Sequence, residues 1–281
     1  MLKAQESFCN TREHKETKGN MLMSTDVLTR ISQKLNELDE ADLQRAEKYV
    51  VLLLAEKKAR TGDAEAQIRC GDLYLNGNGE ELLFSRRKAL YWYKKAAEQG
   101  YVHAQFLCGD IYYHYYNKTL YREKALYWYE KAAEQGDAQS QFCCGNMYFR
   151  GEGTEWGEPV FDKAFYWYEK AADQGNPQAE FALGNMYANG NGTEVNEKKA
   201  LSWYEKSAEH GYDEAQYIVG CLYYDGEGTD VSFEKALHWF CKAAEQNHDL
   251  AAARCADMYR KGEGTPVDLK KARFWDEGHT V

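Results

Sequence analysis

The amino-acid sequence predicts an all-α solenoid, in which short helical units stack on one another instead of enclosing a single core. The segment Lys124–Gly136 returns with small changes five more times along a chain of 281 residues. Successive copies are spaced by about 36 residues, a period typical of stacked helical repeats. A unit of this length cannot bury its own apolar face, so its neighbours in the stack must cover it.

Each unit is predicted to contain two helices joined by a glycine loop. In the second helix of the second repeat, apolar residues follow the spacing of one buried helical face, from Ala125 through Trp128 to Ala132. The first helices place a glycine in a fixed column, where the missing side chain lets two helices approach closely. The loops carry Gly-x-Gly, as in Gly151–Gly153, and we expect the first glycine to end the helix in a left-handed conformation. We predict six repeats, at 63–100, 101–136, 137–175, 176–211, 212–247 and 248–281.

The tryptophan of each copy lies on the same apolar stripe, which favours burial over a stacking platform for bases or sugars. A tryptophan side chain can bury about 150 to 250 Å². We therefore interpret Trp128 and its equivalents as the contact between units. In the last copy Asp276 stands where the others have an aromatic residue after the tryptophan, as a terminal unit would require.

The N-terminal region is predicted to cap the stack. Residues 55–63 repeat the end of the recurring segment, so a helix over Asp42–Arg60 would be an isolated second helix that shields the first repeat. Apolar residues between Leu28 and Leu38 predict a further short helix, which either packs on this cap helix or forms a seam between two chains. We therefore assign residues 23–62 to a helical cap. Residues 1–22 lack a periodic apolar face and are predicted to be a disordered tail, with a start of the chain at Met21 or Met23 as the alternative.

The order of these residues resembles the Sel-one-like repeat, a relative of the tetratricopeptide repeat. The match runs from the glycine and tyrosine of the first helix to Lys-Ala-x-x-Trp-Tyr-x-Lys-Ala-Ala-x-Gln-Gly, and it covers residues 63–281. The resemblance implies a right-handed α/α superhelix whose first helices line a concave face, and a role as an adaptor or scaffold for other proteins. The second repeat departs from the pattern, because His114–Lys118 replaces its glycine loop.

Charge and hydropathy argue against a nucleic-acid-binding protein and against a membrane-spanning segment. A formal net charge of -10 argues against nucleic acid, because proteins that bind it usually carry a basic surface. The longest apolar run, Val50–Ala55, is too short to span a membrane, and the first twenty residues have no apolar stretch typical of a signal peptide. We therefore expect a cytoplasmic protein, with a leaderless secreted effector as the alternative.

Cysteine spacing favours free thiols over disulfides. No pair of cysteines recurs at a fixed offset within the units, as a disulfide framework would require. Besides two aliphatic residues, one column of the first helices holds four cysteines, which we expect to be small apolar core side chains: Cys70, Cys108, Cys144 and Cys255. Free thiols indicate a reducing compartment.

The sequence contains no recognisable catalytic, metal or cofactor motif. The seven histidines include no His-x-x-x-His pair, and neither a phosphate loop with its lysine nor a Gly-x-Ser-x-Gly elbow occurs. Glu130 and Glu169, each followed by a lysine, are interpreted as parts of a solvated face. We therefore predict a protein that is not an enzyme and needs no cofactor.

Columns that vary between copies are the candidates for binding, because packing leaves them free to differ. They lie on the first helices and combine aromatic rings with carboxylates and amides, which suits a peptide or helix of a partner protein with some basic character. The aromatic column can equally serve contacts between repeats, and both interpretations are open. The candidate site residues are Asp72, Asp110, Tyr113, His114, Asn146, Phe149, Arg150, Asn185, Tyr224 and Asp225.

Two further functions are kept as alternatives. The helix between Leu28 and Leu38 could drive self-assembly, which would make the protein a structural component. A small-ligand site or enzyme is suggested by the resemblance alone, through the β-lactam binding of some exported, cysteine-rich relatives. The missing signal peptide and the cysteine spacing count against this second alternative.

Overall fold

The computed structural model describes residues 39–77, 85–115 and 119–277, and within them it contains thirteen helices and no strand. The prediction of an all-α fold is confirmed. The described residues fall into two compact units, one ending at Trp92 and the other beginning at Tyr93. The helices are α1 (Glu40–Ala59), α2 (Ala64–Leu75), α3 (Arg86–Ala97), α4 (Val102–Tyr115), α5 (Thr119–Ala133), α6 (Ala138–Arg150), α7 (Phe161–Ala172), α8 (Pro177–Asn189), α9 (Glu197–Glu209), α10 (Asp213–Asp225), α11 (Phe233–Glu245), α12 (Asp249–Lys261) and α13 (Leu269–Asp276).

In the first unit, α1 packs on α2, with polar groups at the contact paired. The Tyr74 hydroxyl donates to the carboxylate of Glu56 at 2.5 Å, and Nε2 of Gln67 donates to the carbonyl oxygen of Ala59 at 3.1 Å. Helix α1 starts at Glu40, two residues before the predicted helix. The predicted helix between Leu28 and Leu38 and the predicted tail lie outside the described residues.

In the second unit, each first helix packs on the second helix that follows it, and that second helix packs on the next first helix. This alternation links α4 to α13 through neighbours in the sequence. The apolar stripe of the second helices is buried as predicted, and four of its tryptophans are at most 9% exposed: Trp128, Trp167, Trp239 and Trp275. No described helix is long and apolar enough to cross a bilayer.

In four repeats a glycine of the first helix lies against an aromatic ring of the second helix. A Cβ atom added to Gly184 would lie 2.5 Å from Cδ1 of Tyr204, far inside the normal separation of two carbon atoms. The same contact recurs in three other repeats, between Gly109 and Tyr129, Gly145 and Tyr168, and Gly220 and Phe240. In the last repeat Asp276 replaces the ring and Ala256 replaces the glycine. The glycine column therefore makes room for the ring, and the two positions change together.

The glycine loops turn as the sequence predicts. Gly151 ends α6 with φ +72°, and Gly226 ends α10 with φ +78°, both in the left-handed region. The second glycine of a loop contacts the preceding repeat, because a Cβ atom on Gly228 would lie 3.0 Å from the carbonyl oxygen of Glu197. This glycine lets one repeat approach the backbone of the one before it.

Buried glutamines join consecutive repeats. Nε2 of Gln141 donates to the carbonyl oxygen of Ala133 at 3.1 Å, and its Oε1 accepts from Nε2 of Gln174 at 2.8 Å. Two more pairs repeat the side-chain contact, Gln105 with Gln135 and Gln216 with Gln246. These amides satisfy backbone groups at the ends of the second helices that would otherwise be buried without a partner.

The fourth repeat replaces this glutamine pair with a glutamate and a histidine. Nδ1 of His210 lies 2.8 Å from Oε2 of Glu180. Glu180 is only 2% exposed, so its carboxylate depends on a partner, because an unpaired buried charge is costly. The side chain of His210 is 50% exposed, so the pair lies at the edge of the buried region.

The interpretation of Glu130 as part of a solvated face is wrong. Its Oε1 accepts a hydrogen bond from the hydroxyl of Tyr148, and the ammonium of Lys163 lies over the same tyrosine ring, 4.7 Å from the centroid. Tyr223 repeats this arrangement with Glu205 and Lys235. In these two repeats the glutamate thus joins a second helix to the first helix of the next repeat, whereas the equivalent Glu169 is exposed as predicted.

The four cysteines of the shared column are fully buried, as predicted. All seven cysteines of the described residues are free thiols. Sγ of Cys241, on α11, lies 3.3 Å from Sγ of Cys255, on α12. The sequence analysis did not connect these two residues, because they belong to different repeats and meet only when α11 packs on α12.

Replacing Gly184 with alanine tests the contact between the glycine and the ring. In an ordinary helix this change stabilises by about 0.5 to 1 kcal/mol. Here we expect a loss of about 1 to 3 kcal/mol, because the new methyl group overlaps the ring of Tyr204 and overpacks the contact. Urea denaturation followed by circular dichroism measures the change. The matched control is Ala256→Gly at the equivalent buried position, where Asp276 replaces the ring and we expect a loss of about 1 to 2 kcal/mol from helix propensity and the lost methyl group. A Gly184→Ala protein more stable than the parent would contradict the packing argument.

Removing the partner of Glu180 tests its pair with His210. We expect His210→Ala to cost about 1 to 3 kcal/mol, because it leaves a buried carboxylate unpaired. The double variant Glu180→Gln with His210→Gln installs the glutamine pair of the other repeats, and it should recover most of this loss in the same denaturation experiment. Gln174→Ala is the control for losing an uncharged partner. If the double variant is no more stable than His210→Ala, the pair is not equivalent to the glutamines.

Candidate functional site

Five of the ten predicted site residues meet at one cavity in the second unit. The cavity has a volume of about 260 Å³ and lies between the first helices α4 and α6. We call it the Asp110 cavity. Its lining residues are Phe106, Asp110, Tyr113, His114, Tyr129, Gln139, Cys143, Asn146, Met147 and Arg150.

Helical spacing explains why these side chains share one opening. On α4, Asp110 follows Phe106 by four residues and precedes Tyr113 by three, so the three lie on one face. On α6, Cys143 and Met147 are related in the same way. Tyr129 comes from α5, and its ring reaches the cavity across Gly109, where a Cβ atom would lie 2.6 Å from the ring. The packing contact of the repeat therefore also contributes a wall of the cavity.

The lining of the cavity combines one carboxylate, one guanidinium and several uncharged polar groups. Burial raises the pKa of Asp110, and the nearby His114 opposes this shift, with Nε2 of His114 3.3 Å from Oδ1. Burial raises the pKa of Cys143 to about 12 and also raises the pKa of the Tyr129 hydroxyl. The thiol and the phenol therefore stay protonated near neutral pH. They are hydrogen-bonding groups here, because a nucleophilic cysteine needs its thiolate form.

Tyr113 is held by two arginines of the same chain. The guanidinium carbon of Arg122 lies 3.9 Å from the ring centroid, and Nη1 of Arg122 donates to the carbonyl oxygen of Tyr113 at 2.8 Å. Nη1 of Arg150 donates to the Tyr113 hydroxyl at 3.3 Å. One face of the Tyr113 ring is thus already covered by Arg122. The main contribution of Tyr113 to the cavity is to hold Arg150 at its rim, and only the other face of the ring is open to a ligand.

The other aromatic candidates also make contacts within the chain. Phe149 packs edge to face on Phe161, with ring centroids 5.4 Å apart. Tyr224 packs on Phe233 at 5.1 Å, and its hydroxyl donates to Glu263 of the following repeat at 3.0 Å. The alternative interpretation, that this column serves contacts between repeats, fits Tyr224 through its bond to Glu263, whereas the contact of Phe149 lies within its own repeat. Both side chains stay half-exposed.

Two amides of the candidate set are engaged in packing. The hydroxyl of Tyr168 donates to Oδ1 of Asn146 at 2.8 Å, and the hydroxyl of Tyr204 donates to Oδ1 of Asn185 at 2.8 Å. The assumption that packing leaves this column free is wrong for these two oxygens. Each of these two amides still has its Nδ2 group as a donor, so Asn146 and Asn185 offer a ligand mainly N–H groups.

The remaining candidates lie away from the cavity. Asp72 is an exposed residue of α2 in the first unit, while Asn185 is on α8, and Tyr224 and Asp225 are on α10. The sequence analysis missed five lining residues, namely Phe106, Tyr129, Gln139, Cys143 and Met147. Phe106 could have been found from its four-residue spacing to Asp110. Tyr129 could not, because its place depends on how α5 crosses α4. The described residues contain no group of three metal-ligating side chains.

Comparisons with known proteins identify the repeat. A model of the Sel1 repeat matches residues 64–101, 102–137, 138–176, 177–212, 213–248 and 249–275. The chain belongs to the Sel1 repeat family. Sel1 repeat proteins are all-α solenoids, so the predicted fold class is confirmed, and they generally serve as scaffolds for contacts between proteins. Helix α1 precedes the matched residues.

Two solved structures are similar to this Sel1 repeat chain. One is a protective antigen of uropathogenic Escherichia coli with an SLR fold, at 30% sequence identity and a TM-score of 0.72, with coverage of 81% of this chain and 48% of that one. The other is a Sel1 repeat protein from Oxalobacter formigenes, at 29% identity and a TM-score of 0.63, with coverage of 87% and 79%. The chain thus spans about half the length of the first structure. No curated protein matches the chain.

Thiol reactivity tests the electrostatics of the cavity. Cys143 and Cys241 are both half-buried. The pKa of Cys143 is raised to about 12, whereas a hydrogen bond from Cys255 lowers the pKa of Cys241. Since only the thiolate reacts, we expect iodoacetamide at pH 8 to modify Cys241 well before Cys143, as followed by mass spectrometry of peptides. Faster modification of Cys143 would contradict a protonated, buried thiol at the cavity wall.

Proposed function

We propose that this Sel1 repeat protein is a non-catalytic scaffold that binds a segment of a partner protein on its first helices, with the Asp110 cavity as the anchor point. The observation that supports this most is the meeting of five predicted binding residues at one opening between α4 and α6. The protonated thiol and phenol at its wall favour recognition over chemistry. Family membership supports the general role in contacts between proteins.

The size of the cavity favours one side chain of a peptide as its occupant. Pockets for small molecules usually enclose about 300 to 1,000 Å³, and this cavity has about 260 Å³. Binding between proteins is typically dominated by a few anchors that fill such pockets, with near-neutral contacts around them. A peptide that lies across α4 and α6 could place one anchor here.

The carboxylate of Asp110 favours a lysine or arginine as the anchor, while the guanidinium of Arg150 is engaged at the rim with the Tyr113 hydroxyl. Phe106 and Met147 offer apolar surface to an aliphatic stem, and Asp110 offers a carboxylate to the charged end. Asp110 is partly buried, and the effective dielectric constant there is lower than in water. Its attraction for a cation is therefore stronger than at an exposed position. A cation that binds there would favour the ionised form of Asp110, against the effect of burial.

A peptide selection tests the proposal. Random peptides displayed on phage are selected against the full chain, and binding of the enriched peptides is measured by fluorescence polarisation. We expect lysine or arginine beside an apolar residue, and we expect Asp110→Asn to weaken binding about tenfold to a hundredfold. Loss of a hydrogen bond to a charged group costs about 1.5 to 3 kcal/mol, and each 1.4 kcal/mol is a factor of ten in affinity.

The matched control removes a carboxylate elsewhere on the second unit. Glu169→Gln neutralises an exposed residue of α7 that does not line the cavity, and it should leave binding unchanged. Circular dichroism of each variant checks that helicity is retained. Peptides whose affinity is the same for the parent chain, Asp110→Asn and Asn146→Ala would show that the cavity is not the binding site.

A further inference from the structure

The connection between the helices of the third repeat is longer than its equivalents. Its end is marked by the hydrogen bond from the amide of Val160 to the carbonyl oxygen of Tyr148, 12 residues apart. The same bond spans 9 residues in the fourth, fifth and sixth repeats, as in Asn196 to Tyr187. Three extra residues, Trp156–Glu158, account for the difference.

The extra residues form an ordered turn. The hydroxyl of Thr154 donates to the carbonyl oxygens of Gly151 at 2.9 Å and Glu158 at 3.1 Å, and the amide of Gly157 donates to the carbonyl oxygen of Thr154 at 3.3 Å. A Cβ atom on Gly151 would lie 2.5 Å from the carbonyl carbon of Glu158. The turn therefore packs back on the cap of α6 and points Trp156 outward.

This turn forms one wall of a groove of about 490 Å³ that is separate from the Asp110 cavity. We call it the Trp156 groove, and its opposite wall is the outer face of α5. Trp156 is 79% exposed and Tyr127, on α5, is 52% exposed. Two large aromatic rings left in water beside a preformed groove mark a contact surface, because aromatic residues are enriched at the centres of interfaces.

The charge of the groove selects its ligand. Four carboxylates line it, including the exposed Glu123, Glu155 and Glu158, against one ammonium. That ammonium, on Lys163, already contacts the hydroxyl of Tyr148 at 3.3 Å. Nucleic acid and anionic lipid would be repelled. A cation is favoured twice, by the carboxylates and by the face of the indole ring, and arginine suits both because its planar group stacks on aromatic rings and pairs with carboxylates.

We infer that the Trp156 groove is a second docking surface, which binds an arginine-containing segment of a partner protein by stacking a guanidinium group on Trp156 between Glu155 and Glu158. This surface is independent of the proposed function at the Asp110 cavity. Each site keeps its own residues, so the failure of one can be distinguished from the failure of the other.

The test compares the parent chain with a chain whose third connection has normal length. Deletion of Trp156–Glu158 restores the 9-residue spacing of the fourth, fifth and sixth repeats, so the variant is expected to fold. Random peptides displayed on phage are selected against the full parent chain and depleted on the deletion variant. We expect the peptides that survive to contain arginine beside an apolar residue, and to bind about tenfold more weakly to Trp156→Ala.

Point variants separate the two contributions. Trp156→Phe keeps an aromatic face and should lose less affinity than Trp156→Ala, whereas Glu155→Gln with Glu158→Gln should make binding weaker and less dependent on salt. Asp110→Asn should leave these peptides unaffected. Because Trp156 is exposed, its substitution should not change the thermal unfolding of the chain, and this is measured in parallel.

Several results would overturn the inference. One is a selection that yields no peptide dependent on the three extra residues, and another is a set of dependent peptides that are acidic or uncharged. A third is association of the chain with itself, seen by sedimentation and abolished by Trp156→Ala, which would make a second copy the occupant of the groove. Equal binding by the parent chain and Trp156→Ala would remove the stacking contact.

Discussion

The contact between a helix glycine and an aromatic ring is the constraint on which the second unit depends. It brings the two helices of a repeat together, because no other residue leaves room for the ring. The ring then reaches across the first helix. In two repeats its hydroxyl donates a hydrogen bond to the asparagine that follows the glycine, as Tyr168 does to Asn146. Where the ring is absent, at Asp276, the glycine is absent as well. A single packing rule thus sets both the helix spacing and part of the chemistry at the first-helix surface.

Much of the fold could be predicted because each repeat is an independent copy of the same information. The glycine, tyrosine and tryptophan columns are visible in the sequence, and comparison of copies separates what packing fixes from what it leaves free. The loop glycines were predictable for the same reason, since a left-handed cap is a local requirement of the backbone. The pairing of Cys241 with Cys255 was not predictable, because it depends on how α11 crosses α12.

The candidate site was predictable only in part, for a physical reason. A column that varies between copies can vary because it is free or because its packing partner varies with it. Asn185 belongs to the second class, since its oxygen accepts the hydroxyl of Tyr204, and the equivalent Cys221 stands in the repeat where Phe240 has no hydroxyl to donate. Asp110 and His114 pair with one another along α4 and still face an open cavity. Only coordinates separate these cases.

The alternation of helices has a consequence for how such a chain can acquire new contacts. Because each helix of the second unit packs mainly on its neighbours in sequence, the three extra residues of the third repeat are accommodated without any change in the length of the connections that follow. The insertion lies in an exposed connection, where added residues are tolerated, and the disturbance ends within one repeat. The solenoid is therefore modular, and a connection can gain residues one repeat at a time while the framework keeps its period.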